Sequence, residues 1–77
     1  MKTRGIQNAI NRLAGARRLG SASLMRTAEA EARHILTQAQ AWMARTPAPP
    51  AGESDERYTP VALAVAELQQ ALEQYQA

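Results

Sequence analysis

Apolar side chains in the last third of the chain recur at alternating spacings of four and three residues. The members of this stripe are Val61, Val65, Leu68, Leu72 and Tyr75. The spacing places them on one side of an α-helix, like the a and d positions of a short coiled coil. Thr59-Pro60 precedes the stripe and suits an N-cap followed by proline in the first helical turn. We therefore predict a helix over about residues 60–76.

A second stripe with the same spacing lies in the middle of the chain. Its members are Ala28, Ala32, Ile35, Ala39 and Trp42. It predicts a long helix over about residues 23–45, which Thr46-Pro47 ends because proline disfavours helical backbone in the residue before it. A Pro-rich acidic loop, residues 47–58, follows. Small alanines facing larger side chains allow two helices to approach closely. We therefore predict an antiparallel helical hairpin.

The hairpin brings particular side chains together. Trp42, at the loop end of the long helix, should lie near Val61 and Val65. Tyr75, at the far end of the last helix, should lie near Leu24 and Ala28.

The first part of the chain has a third apolar stripe. It consists of Ile6, Ala9, Ile10, Leu13 and Ala16, and it predicts an amphipathic helix over about residues 4–19. Gly20 is a natural helix stop, and Ser21 or Ser23 can cap the next helix. The predicted fold is all-α, with this basic helix added to the hairpin as a three-helix unit.

We expect one small domain over residues 1–77. Its segments are residues 1–20, 21–46, 47–58 and 59–77. A chain of this length is near the lower limit at which one core sustains a fold. Self-association or a partner protein would therefore help to stabilise it, and we expect a homodimer.

The long helix carries more apolar side chains than one neighbouring helix can cover. The candidates for contact with a partner are Leu24, Met25, Leu36, Trp42 and Met43. Of these, Leu24, Leu36 and Met43 cannot all face the last helix, so they must meet the first helix, a second copy of the chain or another protein.

Charge is distributed unevenly along the chain. Up to Arg26 there are six basic residues and no acid, whereas the rest has three basic residues and seven acids. The candidate nucleic-acid contacts in the basic helix are Arg4, Asn8, Arg12, Arg17 and Arg18. Three interpretations stay open for this helix: a solvated charged face, contact with nucleic-acid phosphates, or docking on an acidic protein or membrane surface.

A short stretch of the chain resembles a known motif. The sequence from Ala16 to Ser21 is similar to the turn of bacterial helix-turn-helix regulators, in which an alanine precedes the turn glycine by four residues. The resemblance covers about a dozen residues and implies DNA binding. It departs from the motif at Arg26, where the motif has an apolar residue.

Little in the sequence indicates catalysis. His34 is the one histidine, and residues three and four positions away from it do not complete a metal site. There is no cysteine, no Gly-rich phosphate loop and no apolar run long enough to span a bilayer. We expect no enzyme activity, cofactor, metal or small-molecule substrate. Because the start also lacks the apolar segment of a secretory signal, we expect a cytoplasmic protein.

The sequence therefore favours a small helical protein–protein interaction module. It would act as an adaptor, a chaperone-like subunit or an inhibitor of a larger complex, and its composition suits a bacterial or phage protein. The alternative is a dimeric nucleic-acid-binding protein that uses the Arg-rich first helix.

Overall fold

Three α-helices packed together form the fold, as predicted. The computed structural model describes residues 1–76, and side chains up to residue 74. The helices are α1 (Arg4–Leu19), α2 (Ala22–Arg45) and α3 (Tyr58–Gln76), with no strand in the described part of the chain. Together they measure 42 × 20 × 19 Å.

Each helix packs against both of the others. α2 runs antiparallel to α1 and α3, because it is joined to α1 by a two-residue turn and returns to α3 through the loop. Side chains linking α1 to α3 confirm that these two helices run parallel: Gln7 Nε2 donates to Glu67 Oε2 at 3.2 Å, and Arg17 Nη1 to Gln74 Oε1 at 3.4 Å.

The core draws its buried residues from the three predicted stripes and from Ala64, and much of it is alanine. The buried residues are Ile6, Ala9, Leu13, Ala16, Ala28, Ala32, Ala39, Val61, Ala64, Val65, Leu68 and Leu72. Half of these side chains are single methyl groups, so the helices approach closely around few large groups. The side chain of Tyr75, predicted near Leu24 and Ala28, lies outside the described residues.

The turn between α1 and α2 forms for local reasons that the sequence predicts. Gly20 has a left-handed backbone (φ 68°), and its N–H donates to the carbonyl oxygens of Ala16 and Arg17 at 3.1 and 3.2 Å. The Oγ atom of Ser21 then accepts a hydrogen bond from the Leu24 N–H at 3.3 Å. Ser21 is therefore the N-cap of α2.

The start of α3 differs from the prediction. The helix begins at Tyr58, so Thr59 is not its N-cap, and the expected loop of residues 47–58 ends one residue early. Asp55 takes the capping role: its Oδ1 accepts hydrogen bonds from the N–H groups of Arg57 and Tyr58 at 2.7 and 2.9 Å. Thr59 Oγ1 accepts from the Asp55 N–H at 2.9 Å, so the two side chains cap reciprocally, as in a capping box.

The beginning of α3 also holds an aromatic pair. The ring of Trp42 stacks on that of Tyr58, with centroids 6.1 Å apart and planes at 28°. Thr46, the C-cap of α2, donates its hydroxyl to the Trp42 carbonyl oxygen at 2.8 Å. The loop end of the bundle is therefore fixed by a contact that includes a tyrosine outside the predicted stripes.

Candidate interaction surfaces

Most of the predicted interface residues contribute to the protein's own core. Met25, Leu36, Trp42 and Met43 are half-buried and pack against the buried cluster. Leu24 is different, since 48% of its surface is exposed. The apolar side chains of α2 that one neighbouring helix cannot cover are therefore largely buried within the chain. Leu24 is the predicted interface residue that remains exposed to a partner.

Leu24 lies on an open apolar groove between α1 and α2, next to the turn that joins them. The groove has a volume of about 310 Å³. Its lining residues are Arg12, Gly15, Ala16, Leu19, Leu24, Thr27, Ala28 and Glu31. We call it the α1–α2 groove.

The floor of the α1–α2 groove is made of small residues. Gly15, Ala16 and Ala28 lie where the two helices approach each other. A Cβ atom added at Gly15 would meet nothing within 4 Å, so this position leaves open space above the helix backbone. The groove thus exists because the sequence places small side chains at the turn end of the α1–α2 contact.

Leucines stand at one end of the groove and charged residues at the other. Leu19 is 73% exposed. About two turns farther along, Arg12 Nη1 donates to Glu31 Oε2 at 2.7 Å and joins α1 to α2. Leu19 is not among the interface residues predicted from the sequence, although it lies three residues after Ala16 and so continues the α1 stripe.

The five predicted nucleic-acid contacts are all exposed, but they do not share one face. Arg4, Asn8 and Arg18 lie on the side of α1 opposite its buried residues, as the 3.6-residue period of the helix requires. Arg12 lies beside α2 in its ion pair with Glu31, and Arg17 lies beside α3 in its hydrogen bond to Gln74. The outward basic face of α1 is therefore narrower than the sequence predicts.

A second groove follows the other flank of α1, where it faces α3. It has a volume of about 550 Å³. The lining residues are Ile10, Leu13, Ala14, Arg17, Arg18, Ala71 and Gln74. This α1–α3 groove is more polar than the first, and its charged lining residues are both arginines.

The contacts of α1 with α2 distinguish this turn from a helix-turn-helix. Arg12 pairs with Glu31, and a Cβ atom at Gly5 would lie 3.9 Å from Ile35 Cδ1. Such contacts require helices that lie side by side, whereas the helices of the DNA-binding motif cross at about 90–120°. The resemblance is therefore confined to the turn sequence.

The described part of the chain offers no metal site. His34 is exposed on α2, and residues 1–76 contain no group of three or more histidine, cysteine or acidic residues that is arranged to hold a metal. The Tyr58 and Arg57 backbone N–H groups, in that order of importance, lower the pKa of Asp55. That shift follows from helix capping. None of the described helices is both long and apolar enough to cross a membrane.

Comparison with known proteins gives no family. No protein-family model matches the chain, and neither a curated protein nor a solved structure is significantly similar to it. A functional proposal must therefore rest on the surfaces described above.

Proposed function

We propose that this protein is a small helical protein–protein interaction module and that the α1–α2 groove is its binding surface. An adaptor, a chaperone-like subunit or an inhibitor of a larger complex would act in this way, and a bacterial or phage cytoplasm is the expected setting. The supporting observation is that Leu19 and Leu24 stay exposed beside an apolar groove. Exposed leucines gathered at a concave apolar site are typical of protein-binding surfaces.

The proposal differs in detail from the interface predicted from the sequence. In the proposed interface, Leu24 contacts the partner, as in the interface predicted from the sequence, and Leu19 is added to it. Met25, Leu36, Trp42 and Met43 support the surface from within, since they pack against the core. Their substitution would therefore alter stability together with binding.

The proposal is tested by comparing variants in retention experiments with extract from the source cell. The groove variant is Leu19→Gln/Leu24→Glu. Glutamate at position 24 adds the acidic partner of a capping box with Ser21, so α2 should remain folded. The control is Leu63→Glu, which places a charge on a leucine that is 62% exposed on α3, outside the groove.

We expect the wild-type chain and the Leu63→Glu control to retain the same proteins, and the groove variant to lose them. Circular dichroism checks that all three chains have equal helicity. If the groove variant retains the same proteins as the wild type, the groove is not the binding surface.

Nucleic-acid binding is the second candidate function, and the outward basic face of α1 favours it. Arg4 and Arg18 are about 21 Å apart along this face at 1.5 Å per residue, and no acid lies between them in sequence. Asn8 lies between them on the same side and can hydrogen-bond phosphate oxygens. Such a helix suits contact with successive phosphates.

This candidate predicts salt-sensitive binding to a short DNA duplex. Arg4→Ala/Arg18→Ala should weaken binding and reduce the dependence of log K on log salt by about 0.9 per lost phosphate contact. The matched control, Arg26→Ala/Arg45→Ala, removes the same charge from exposed positions of α2. Equal binding by both variants would exclude a specific role for the α1 face.

A further inference from the structure

We infer that the occupant of the α1–α2 groove is a second copy of this chain, related to the first by a two-fold axis along the groove. This inference rests on the proposed function and specifies its partner. In this arrangement α1 of each copy packs against α2 of the other. Residues of α1 and α2 at the same distance along the bundle axis therefore face each other across the two-fold axis.

The leucines and the groove floor are self-complementary under this symmetry. A two-fold interface uses the same patch on both subunits, so a residue on α1 must suit its counterpart on the partner's α2. Leu19 lies on α1 and Leu24 on α2, both at the turn end of the groove. Leu19 of each copy would therefore meet the partner's Leu24, above a floor small enough for the helices to approach.

The charges at the other end of the groove are also self-complementary. Arg12 lies on α1 and Glu31 on α2, at similar heights, because they form an ion pair within the chain. Their side chains remain 65% and 44% exposed, which leaves both groups open to further contacts. The axis brings Arg12 of one copy near the partner's Glu31, so that four charges of alternating sign form a closed set.

The charges that line the two grooves favour self-association through the α1–α2 groove over the α1–α3 groove. The lining of the α1–α2 groove carries one basic and one acidic residue, whereas that of the α1–α3 groove carries two arginines. Two copies facing each other through the α1–α3 groove would bring four arginines, and no acid from the lining, into one interface. The α1–α2 groove is the apolar surface on which self-association meets no net repulsion.

The size of the bundle permits such a dimer when one complete long side takes part. The bundle measures 42 × 20 × 19 Å, so a whole side has a footprint comparable to the roughly 800 Å² that each partner contributes to a standard interface, and the α1–α2 groove forms the turn end of that side. With half of the described core residues being alanine, a second copy would add the large apolar contacts that one chain lacks.

Charge exchange tests this geometry with purified protein. Arg12→Glu and Glu31→Arg each break the ion pair within the chain and place like charges across the axis, so each variant alone should dimerise about tenfold more weakly. An equimolar mixture of the two should recover wild-type affinity, because each acidic pair then faces a basic pair of the other chain. The double variant Arg12→Glu/Glu31→Arg should dimerise like the wild type. Sedimentation velocity across a concentration series measures all four samples.

Recovery in the mixture cannot come from the ion pair within the chain, which both single variants lack. A dimer that none of the exchanges affects would overturn the inference, because it would form through another surface. A wild-type chain that stays monomeric at every concentration would overturn it as well. In that case, retention of other proteins by the wild type and their loss by the groove variant would still support the proposed function.

Discussion

At the scale of single residues, glycines show how one residue type serves opposite purposes. Gly20 adopts φ 68° to end α1, a conformation that costs other residues free energy. Gly15 lies in the interior of α1, where glycine is a poorer helix former than alanine, and an added Cβ atom meets nothing within 4 Å. The first glycine is required by the backbone, and the second leaves space in the groove.

Alanine substitution at these two glycines should therefore have opposite effects. Gly20→Ala should lower the free energy of unfolding by about 1 kcal/mol, because alanine is strained at positive φ. Gly15→Ala should raise it by about 1 kcal/mol through helix propensity. Urea unfolding followed by circular dichroism in dilute solution measures both. A stabilising Gly20→Ala would contradict the described turn.

The same comparison shows what the sequence can predict about single residues. Sequence rules predict Gly20 as the stop of α1 and leave Ser21 and Ser23 as alternative caps of α2, because the positions around a helix end have specific backbone requirements. The exposure of Leu19 was not predicted, since it depends on how α2 passes the end of α1. Likewise, Met25 and Leu36 are apolar at helical spacing, but only the packed bundle decides whether they face the core or a partner.

At the scale of elements, the beginning of α3 shows where the local rules were ambiguous. Thr59-Pro60 has the residue types of an N-cap and a first helical position, but the Thr59 N–H already donates to the Asp55 carbonyl oxygen at 3.0 Å, so helical hydrogen bonding begins before Pro60. Asp55 therefore caps α3 four residues before Thr59, and Thr59 Oγ1 accepts a hydrogen bond from the Asp55 N–H. The sequence offers two capping residues close together, and only the structure shows that the earlier one, Asp55, caps the beginning of α3.

The cap at Asp55 predicts a pH dependence of stability. Its pKa is lowered in the folded chain, mainly by the hydrogen bond from the Tyr58 N–H. The carboxylate thus stabilises the fold above the ordinary aspartate pKa of about 4, and this contribution is lost as the pH falls through the folded-state pKa. Asparagine keeps an acceptor oxygen but does not titrate.

We therefore expect Asp55→Asn to have a lower melting temperature than the wild type at pH 7, and the difference to shrink as the pH falls below about 4. Thermal unfolding followed by circular dichroism at a series of pH values measures this difference. Glu53→Gln removes the same charge from the same loop and should show the pH profile of the wild type. A difference between Asp55→Asn and the wild type that stays constant down to pH 2.5 would contradict the proposed cap.

At the scale of the whole molecule, the fold follows from three apolar stripes, none of which can be buried without the other helices. Each helix buries its stripe against the other two, and periodicity alone was sufficient to predict the three-helix unit. The groove was harder to predict because it arises between helices. It forms where Gly15 and Ala16 of α1 meet Ala28 of α2. From the sequence alone, such small residues could equally mark a tightly packed contact between helices or the floor of an open groove.

If a second copy occupies the α1–α2 groove, substitutions in the groove must dissociate the dimer. Sedimentation equilibrium of the wild type, the Leu63→Glu control and the groove variant Leu19→Gln/Leu24→Glu measures this. We expect a reversible dimer for the first two chains and a folded monomer for the third. A wild-type monomer at all concentrations, or a dimer that the groove substitutions leave intact, would contradict it.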